Sequence, residues 1–367
     1  MLVAVVICVL LAVPPSSAAM TGIGTLLRRA ADRSGLPIRR PVQTTTVSAA
    51  RYDALLAGAH SRDYPGALQR VDAILYARLG LQRAKRRLAP VSRVHYDPAS
   101  RKLLLRRSPR PAPKLVVHEL VRALIDQNFN LRRLAGLRSR DRDRALAAHG
   151  IVDGIAALAS GRRTPRLAEG PLDRFLELED SVGLGPGRAL AAELRYLGGR
   201  AAVATALRVF PQTTEQLLHV DKFLERERAL AVRLPAHGAG LTLMSAETFG
   251  ELDTRALLDA FRIAGAADAA AGWGGGRIGL YTAPDGRRTA ALLLRWDTLE
   301  DAAEWRELVP RYVAAAFPTS ATVVACPPLD HCWTGAAEVA VGSVGERSVF
   351  ASGPAAPELA AALLGQG

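Results

Sequence analysis

The sequence predicts an α+β fold, with a mostly helical domain over residues 50–265 and a small α+β unit over 266–367. Three observations lead there. Apolar residues recur at helical spacing through most of the first 265 positions. Near Gly272 the pattern changes to short runs of strand character broken by Gly, Pro and Asp. The 367 residues, 49% of them hydrophobic, suffice for two domains with buried cores.

Leu2 to Val13 is a continuous apolar run, too short to cross a bilayer as a helix. Pro14, Pro15, Ser16, Ser17, Ala18 and Ala19 follow, and small residues there suit a cleavage site. Residues 1–19 are therefore expected to be a signal peptide, and the mature chain to be secreted or extracytoplasmic. Cys8 is not a lipid attachment point, because Ile7 stands where that signal needs a small residue. Residues 20–49 are polar, basic and rich in Thr and Ser, and are expected to be a linker.

From Ser48 to Leu88 the spacing of Leu55, Leu56, Ala59, Ala67, Val71, Ile74 and Leu75 predicts helix. Val94 to Arg106 predicts a hairpin turning at Asp97-Pro98-Ala99-Ser100. Helices are expected over Lys114–Phe129, Asp141–Ser160 and Leu172–Leu197, and again after Pro211, where Thr213-Thr214-Glu215-Gln216 resembles a capping box. Ser245 is expected to open another, reaching Phe261. Arg277–Ala283 and Thr289–Trp296 predict paired strands about the turn Pro284-Asp285-Gly286. A helix over Asp297–Ala316 follows, then short strands at Ala321–Ala325, Ala337–Val341 and Ser348–Ala351, and a closing Ala/Leu helix. Trp273-Gly274-Gly275-Gly276-Arg277 lacks the Lys-Ser/Thr of a phosphate loop and reads as a tight lead-in to a strand.

The formal charge is +13, carried almost wholly by Arg, in pairs such as Arg39-Arg40 and Arg132-Arg133. Such a surface favours anionic neighbours, here an anionic envelope surface of phospholipid head groups or wall polymers. The plainer reading is a compositional bias with solvated charges. Aromatic residues are only 5% and no recognition module is present, so no nucleic acid partner is expected. Cys326 and Cys332 are predicted to form a disulfide in an oxidising compartment; a metal site with His331 is the weaker alternative.

Chemistry concentrates in Val117-His118-Glu119-Leu120-Val121-Arg122-Ala123-Leu124. Zinc peptidases place two His four residues apart on one helix face, and the Glu after the first His activates the metal-bound water. Here His118 and Glu119 are in place, and Arg122 holds the second His position.

The surrounding chain resembles a family of predicted exported bacterial zinc peptidases of the His-Glu-x-x-His (zincin) type. The matching stretches are His118 to Phe129, His95-Tyr96-Asp97-Pro98 with Lys102-Leu103, Ile151-Val152-Asp153-Gly154, Thr213 to His219, Gly250-Glu251-Leu252, Gly272 to Gly275, and Trp296-Asp297 with Asp301-Ala302. They run in order over roughly 90–310. The resemblance implies a zincin-like helical domain, with zinc on His118, on the residue at 122 and on a Glu at 153, and Glu119 as base. Arg122 and Asp153 depart from that set, so the zinc site is expected to be incomplete. Arg has no lone pair to offer a metal. At about 5 Å and an effective dielectric near 20 its charge repels zinc by roughly 6 to 7 kcal/mol.

Two arrangements answer the departure. Arg122 can take the metal's place and pair with Asp153, Glu119 or both. Alternatively, His149 lies one helical turn before Asp153, so His118, His149 and Asp153 can form a rearranged three-ligand zinc site. The first arrangement predicts a degenerate, catalytically impaired protein that needs no cofactor and binds a peptide or protein ligand at the cell envelope. The second predicts an active metalloendopeptidase. No Gly-x-Ser-x-Gly motif supports serine catalysis.

Overall fold

The structure, a computed structural model, describes residues 17–81, 92–163, 170–323 and 326–365. The first part is built from α1 (Ser17–Ser34), β1 (Gln43–Val47), α2 (Ala49–Asp63), α3 (Gly66–Arg78), β2 (Val94–Asp97), β3 (Lys102–Arg106), α4 (Pro113–Phe129), a 3-10 turn (Leu131–Leu134), α5 (Arg142–Ser160), α6 (Pro171–Asp180), α7 (Pro186–Val209), α8 (Thr214–Leu218) and α9 (Val220–Glu225). The second holds β4 (His237–Gly238), β5 (Leu241–Thr248), α10 (Glu251–Ala260), α11 (Asp268–Ala271), β6 (Trp273–Thr282), β7 (Arg288–Trp296), α12 (Leu299–Ala316), β8 (Ser320–Val323), β9 (His331–Gly335), β10 (Val339–Val344), β11 (Arg347–Ser352) and α13 (Ala356–Leu364). The fold class is α+β, as the sequence predicts.

The linker expected at 20–49 is corrected. Ile23, Leu26, Leu27, Ala30 and Ala31 form one apolar stripe of α1, and Leu27 and Ala30 are buried against α4 and α5. Thr44, Thr45 and Thr46 then favour extended backbone, and β1 pairs in parallel with β3, which pairs antiparallel with β2. The Arg pairs that flank these short runs hide the stripe from a polarity reading. The apolar run Leu2–Val13 lies outside the described residues. No helix among the described residues is long and apolar enough to cross a membrane.

The first core gathers α1, α4, α5 and α7 around Leu120, Leu124, Ile151, Ile155 and Leu190. α5 and α7 cross at glycines: a Cβ on Gly154 would run into the backbone of Gly187, and one on Gly187 into that of Gly150. The helix expected over Leu172–Leu197 is two. The break falls at Ser181–Gly185, because Pro186 disfavours helical backbone at the residue before it while suiting the first turn of α7. Non-helical backbone at Gly198 and Gly199 kinks α7, which runs on to Val209.

The second core is an antiparallel eight-stranded sheet, ordered β4-β5-β6-β7-β11-β10-β9-β8. In β7, Ala290, Leu292 and Leu294 face one side with Trp305, Val309 and Tyr312 of α12, while Ala291 and Leu293 face the other with Leu359 and Leu363 of α13. Both faces are covered, so the strand reads as a continuous apolar run instead of an alternating one.

Two further expectations change here. Ser245 lies in β5, paired with Leu280 of β6, and the helix starts at Glu251, where Asp253 caps the Gly250 N–H at 3.1 Å. The division expected at 265/266 is not a core boundary. β4, β5 and α10 belong with the sheet, and α3 and α6 contribute Leu75 and Phe175 to its core. Cys326 and Cys332 are joined as a disulfide, with Cys332 on β9.

Candidate functional site

α4 starts at Pro113, whose fixed φ suits a first turn, and runs fully buried from Val116 to Val121. That burial carries His118 and Glu119 inward, with 4% and 9% of their side chains exposed. Glu119 Oε2 accepts from the Tyr96 N–H of β2 at 2.8 Å, so the hairpin at 94–106 positions the carboxylate. Glu119 Oε1 lies 3.3 Å from His118 Nδ1. His118 Nε2 is buried without a hydrogen-bond partner.

Arg122 stands one turn further on, between Glu119 and Asp153. Its Nη1 donates to Glu119 Oε2 at 3.3 Å, and its Nε lies 3.0 Å from Asp153 Oδ1 on α5. The second contact is an ion pair outside hydrogen-bond geometry, since both atoms lack a partner by angle. The guanidinium therefore bridges two carboxylates, one atom each, without forking onto either. Asp153 reaches this place because the 181–185 loop passes close over it: a Cβ on Gly183 would strike the Asp153 side chain. Burial raises the Glu119 carboxyl, but Arg122 and then His118 outweigh it and hold the group well below the usual carboxylate range. A carboxylate so held is a weak proton acceptor near neutrality.

His149 sits half-buried one turn before Asp153. Burial lowers its pKa, with Asp153 opposing and Arg122 assisting. His118, His149 and Asp153 do not assemble as a ligand set. Among the described residues, the donors that come within 4.8 Å of one another are Glu215, Glu227 and Asp297. The rearranged zinc site thus does not fit the side chains as they lie, and Arg122 stands between Glu119 and Asp153. His95, on β2, shares the neighbourhood: burial first, then Arg122, lowers its pKa. Sequence spacing gave no sign of it, because β2, paired with β3, reaches α4 by tertiary packing.

The Glu215 cluster holds a protein cation too. Lys222 Nζ lies 2.5 Å from Glu215, 3.2 Å from Glu227 and 2.5 Å from Asp297. Burial pushes Glu215 up to about 7 against the pull of Lys222. His219 Nε2 lies 2.8 Å from Glu251. Asp143, pushed up to about 8 by burial and then by Asp253, accepts from the Thr214 N–H at 3.0 Å and its hydroxyl at 2.5 Å. These partners are 5 to 75 residues apart in sequence, and no recognised motif pairs them.

Two cavities lie away from Arg122. One, of about 780 Å3, opens between the helical part and the sheet, with Phe210, Phe223, Val232 and Trp273 in its lining and Arg144, Arg228 and Arg277 at its rim. The other, of about 740 Å3, lies at the end of α4.

A family model described as a domain of unknown function (DUF8575) matches residues 241–362, from β5 to α13. No curated protein and no solved structure matches the chain.

Proposed function

We propose that this chain is an exported protein on a zinc-peptidase-like scaffold whose hydrolytic site is closed by Arg122, and that it acts by binding a peptide or protein ligand at the cell envelope. The observation that carries the reading is the place of Arg122, between the carboxylates of Glu119 and Asp153. A fixed positive charge there opposes a divalent ion and holds Glu119 as a pairing group instead of a base. The cleft of about 780 Å3, with aromatic residues in its lining and a basic rim, is the place offered for the ligand. Export rests on the apolar run Leu2–Val13 and the small residues to Ala19.

Zinc per mature chain, by elemental analysis after chelator-free purification, tests the reading. Metal-free wild type together with zinc uptake by Arg122→His is the expected result. Near-stoichiometric zinc in the wild type, lost in His118→Ala, overturns it.

One observation favours a second reading, an active metal-dependent peptidase on His118, His149 and Asp153. It is the buried, unpartnered His118 Nε2, a donor atom left open. That reading needs Arg122 to swing out. Its mark is metal-dependent cleavage of an unfolded protein, abolished by Glu119→Gln.

A further inference from the structure

We infer that the cavity at the C-terminal end of α4 is a binding site for phosphate groups, taking a ligand or surface that presents at least two of them together. The inference stands on this cavity alone and is independent of the reading of Arg122.

The cavity, about 740 Å3, is lined by Arg39, Arg40, Arg101, Arg133 and Arg208, with Asp126 its one acidic side chain. The five arginines come from four separate stretches: the α1–β1 connection, the β2–β3 turn, the 3-10 turn after α4, and the end of α7. Asp126 is engaged elsewhere. Its Oδ1 accepts from the Leu131 N–H and its Oδ2 from the Tyr96 hydroxyl, both at 2.8 Å, and Oδ2 also makes a long ion pair with Arg101 Nε at 4.0 Å.

Arg133 has a structural task. It donates to the carbonyls of Leu207 and Arg208 at the end of α7 and lies 4.0 Å over the Phe210 ring. Arg39 Nε donates to Asn128 Oδ1 at 3.0 Å. Arg40 and Arg208 have no side-chain partner among the described residues, and both are exposed. The site therefore keeps unspent donors at its mouth.

Their backbone is held in place. Gln127 Oε1 accepts from the N–H groups of Arg39 and Arg40 at 3.0 and 3.2 Å, and its Nε2 returns a bond to the Arg40 carbonyl at 3.0 Å. Asn128 Nδ2 donates to the Pro37 carbonyl at 3.0 Å. Two amide side chains thus clamp residues 37–40 to α4. Arg101 adopts the left-handed region, φ 57°, where an L side chain is strained and Gly would not be. Solvated charge on a basic surface has no need of such fixing. Planar guanidinium donors converging on one cavity suit the tetrahedral oxygens of phosphate, and several together exceed the charge of one monoanion. The cleft at 780 Å3 differs, since Asp141, Asp143 and Glu227 are mixed with its arginines.

The probes are inorganic pyrophosphate, titrated calorimetrically, and phosphatidylcholine vesicles with or without phosphatidylglycerol, tested by sedimentation. The protein is the full mature chain, wild type and with Arg40→Glu plus Arg208→Glu. Saturable binding weakened roughly tenfold or more in the double variant is the expected result. Binding of pyrophosphate assigns a soluble ligand; binding of the anionic vesicles alone assigns lipid head groups. Arg70→Glu plus Arg306→Glu, on exposed residues outside both cavities and with the same change in net charge, should leave binding unchanged. Failure of both probes to bind, or equal weakening by the control pair, overturns the site. Both charge reversals fall on exposed side chains, and melting curves of all three proteins check that they fold alike.

Discussion

Lys222 and Arg122 each stand among carboxylates, but the two places are built differently. The Lys222 ammonium has three carboxylate partners within 3.2 Å, drawn from α8, the residues after α9, and the end of β7. It ties the helical part to the sheet. Arg122 has two partners, one of them a long hydrogen bond and the other an ion pair without hydrogen-bond geometry. Beside it a His118 nitrogen is left unmatched. The first cluster has the form of a structural lock. The second is loosely filled.

The largest expected effect sharpens this contrast. Lys222→Met strands Glu215, which is fully buried, beside two further carboxylates, and should cost about 3 to 5 kcal/mol in urea unfolding. Arg122→Met should cost less, about 2 kcal/mol, because Glu119 keeps the Tyr96 N–H and Asp153, 35% exposed, can rehydrate. If Arg122→Met proves the costlier, the contrast between lock and loose site is broken.

The two corners also respond to pH with opposite sign. Glu215 rises from 4.5 to about 7 on folding, so the native state binds the extra proton. Its contribution is full below pH 4.5 and is lost as pH climbs through about 7, on the order of 3 kcal/mol. Glu251, raised by burial, acts in the same direction. Glu119 is held low, so its contribution is present above pH 4.5 and is lost only in acid. Melting curves across pH 3 to 8 should show Glu215→Gln flattening the neutral side alone, and Glu119→Gln the acid side alone.

How much of this was legible in the sequence divides along the same line. His118, Glu119 and Arg122 are one turn of one helix, so their juxtaposition follows from spacing. Asp153 comes next to them only because α5 crosses α7 at glycines and the 181–185 loop leaves room. Lys222, Glu227 and Asp297 meet through tertiary packing, and no local pattern announces them. The helix period of α4 and α5 and the hairpin at 94–106 were readable because their residues agree with their neighbours locally. α1 and β5 were not: α1 carries a narrow apolar stripe among arginines, and β5 owes its state to pairing with β6.

The smallest effect is a control placed away from both corners. The disulfide Cys326–Cys332 closes a short loop, with a sequence separation of 6, so chain entropy alone credits it with about 2 kcal/mol. Cys332 is buried among Ala340, Val349 and Leu363 on the α13 face of the sheet. Cys326→Ser plus Cys332→Ser should therefore lower stability by about that amount, a little more for the buried hydroxyl. Neither the pH profile of Glu215 nor the zinc content of Arg122→His should change with it. If either moves, the sheet and the two polar corners are coupled more tightly than their separate hydrogen bonds require, and the stability costs of Lys222→Met and Arg122→Met must be read as one network instead of two.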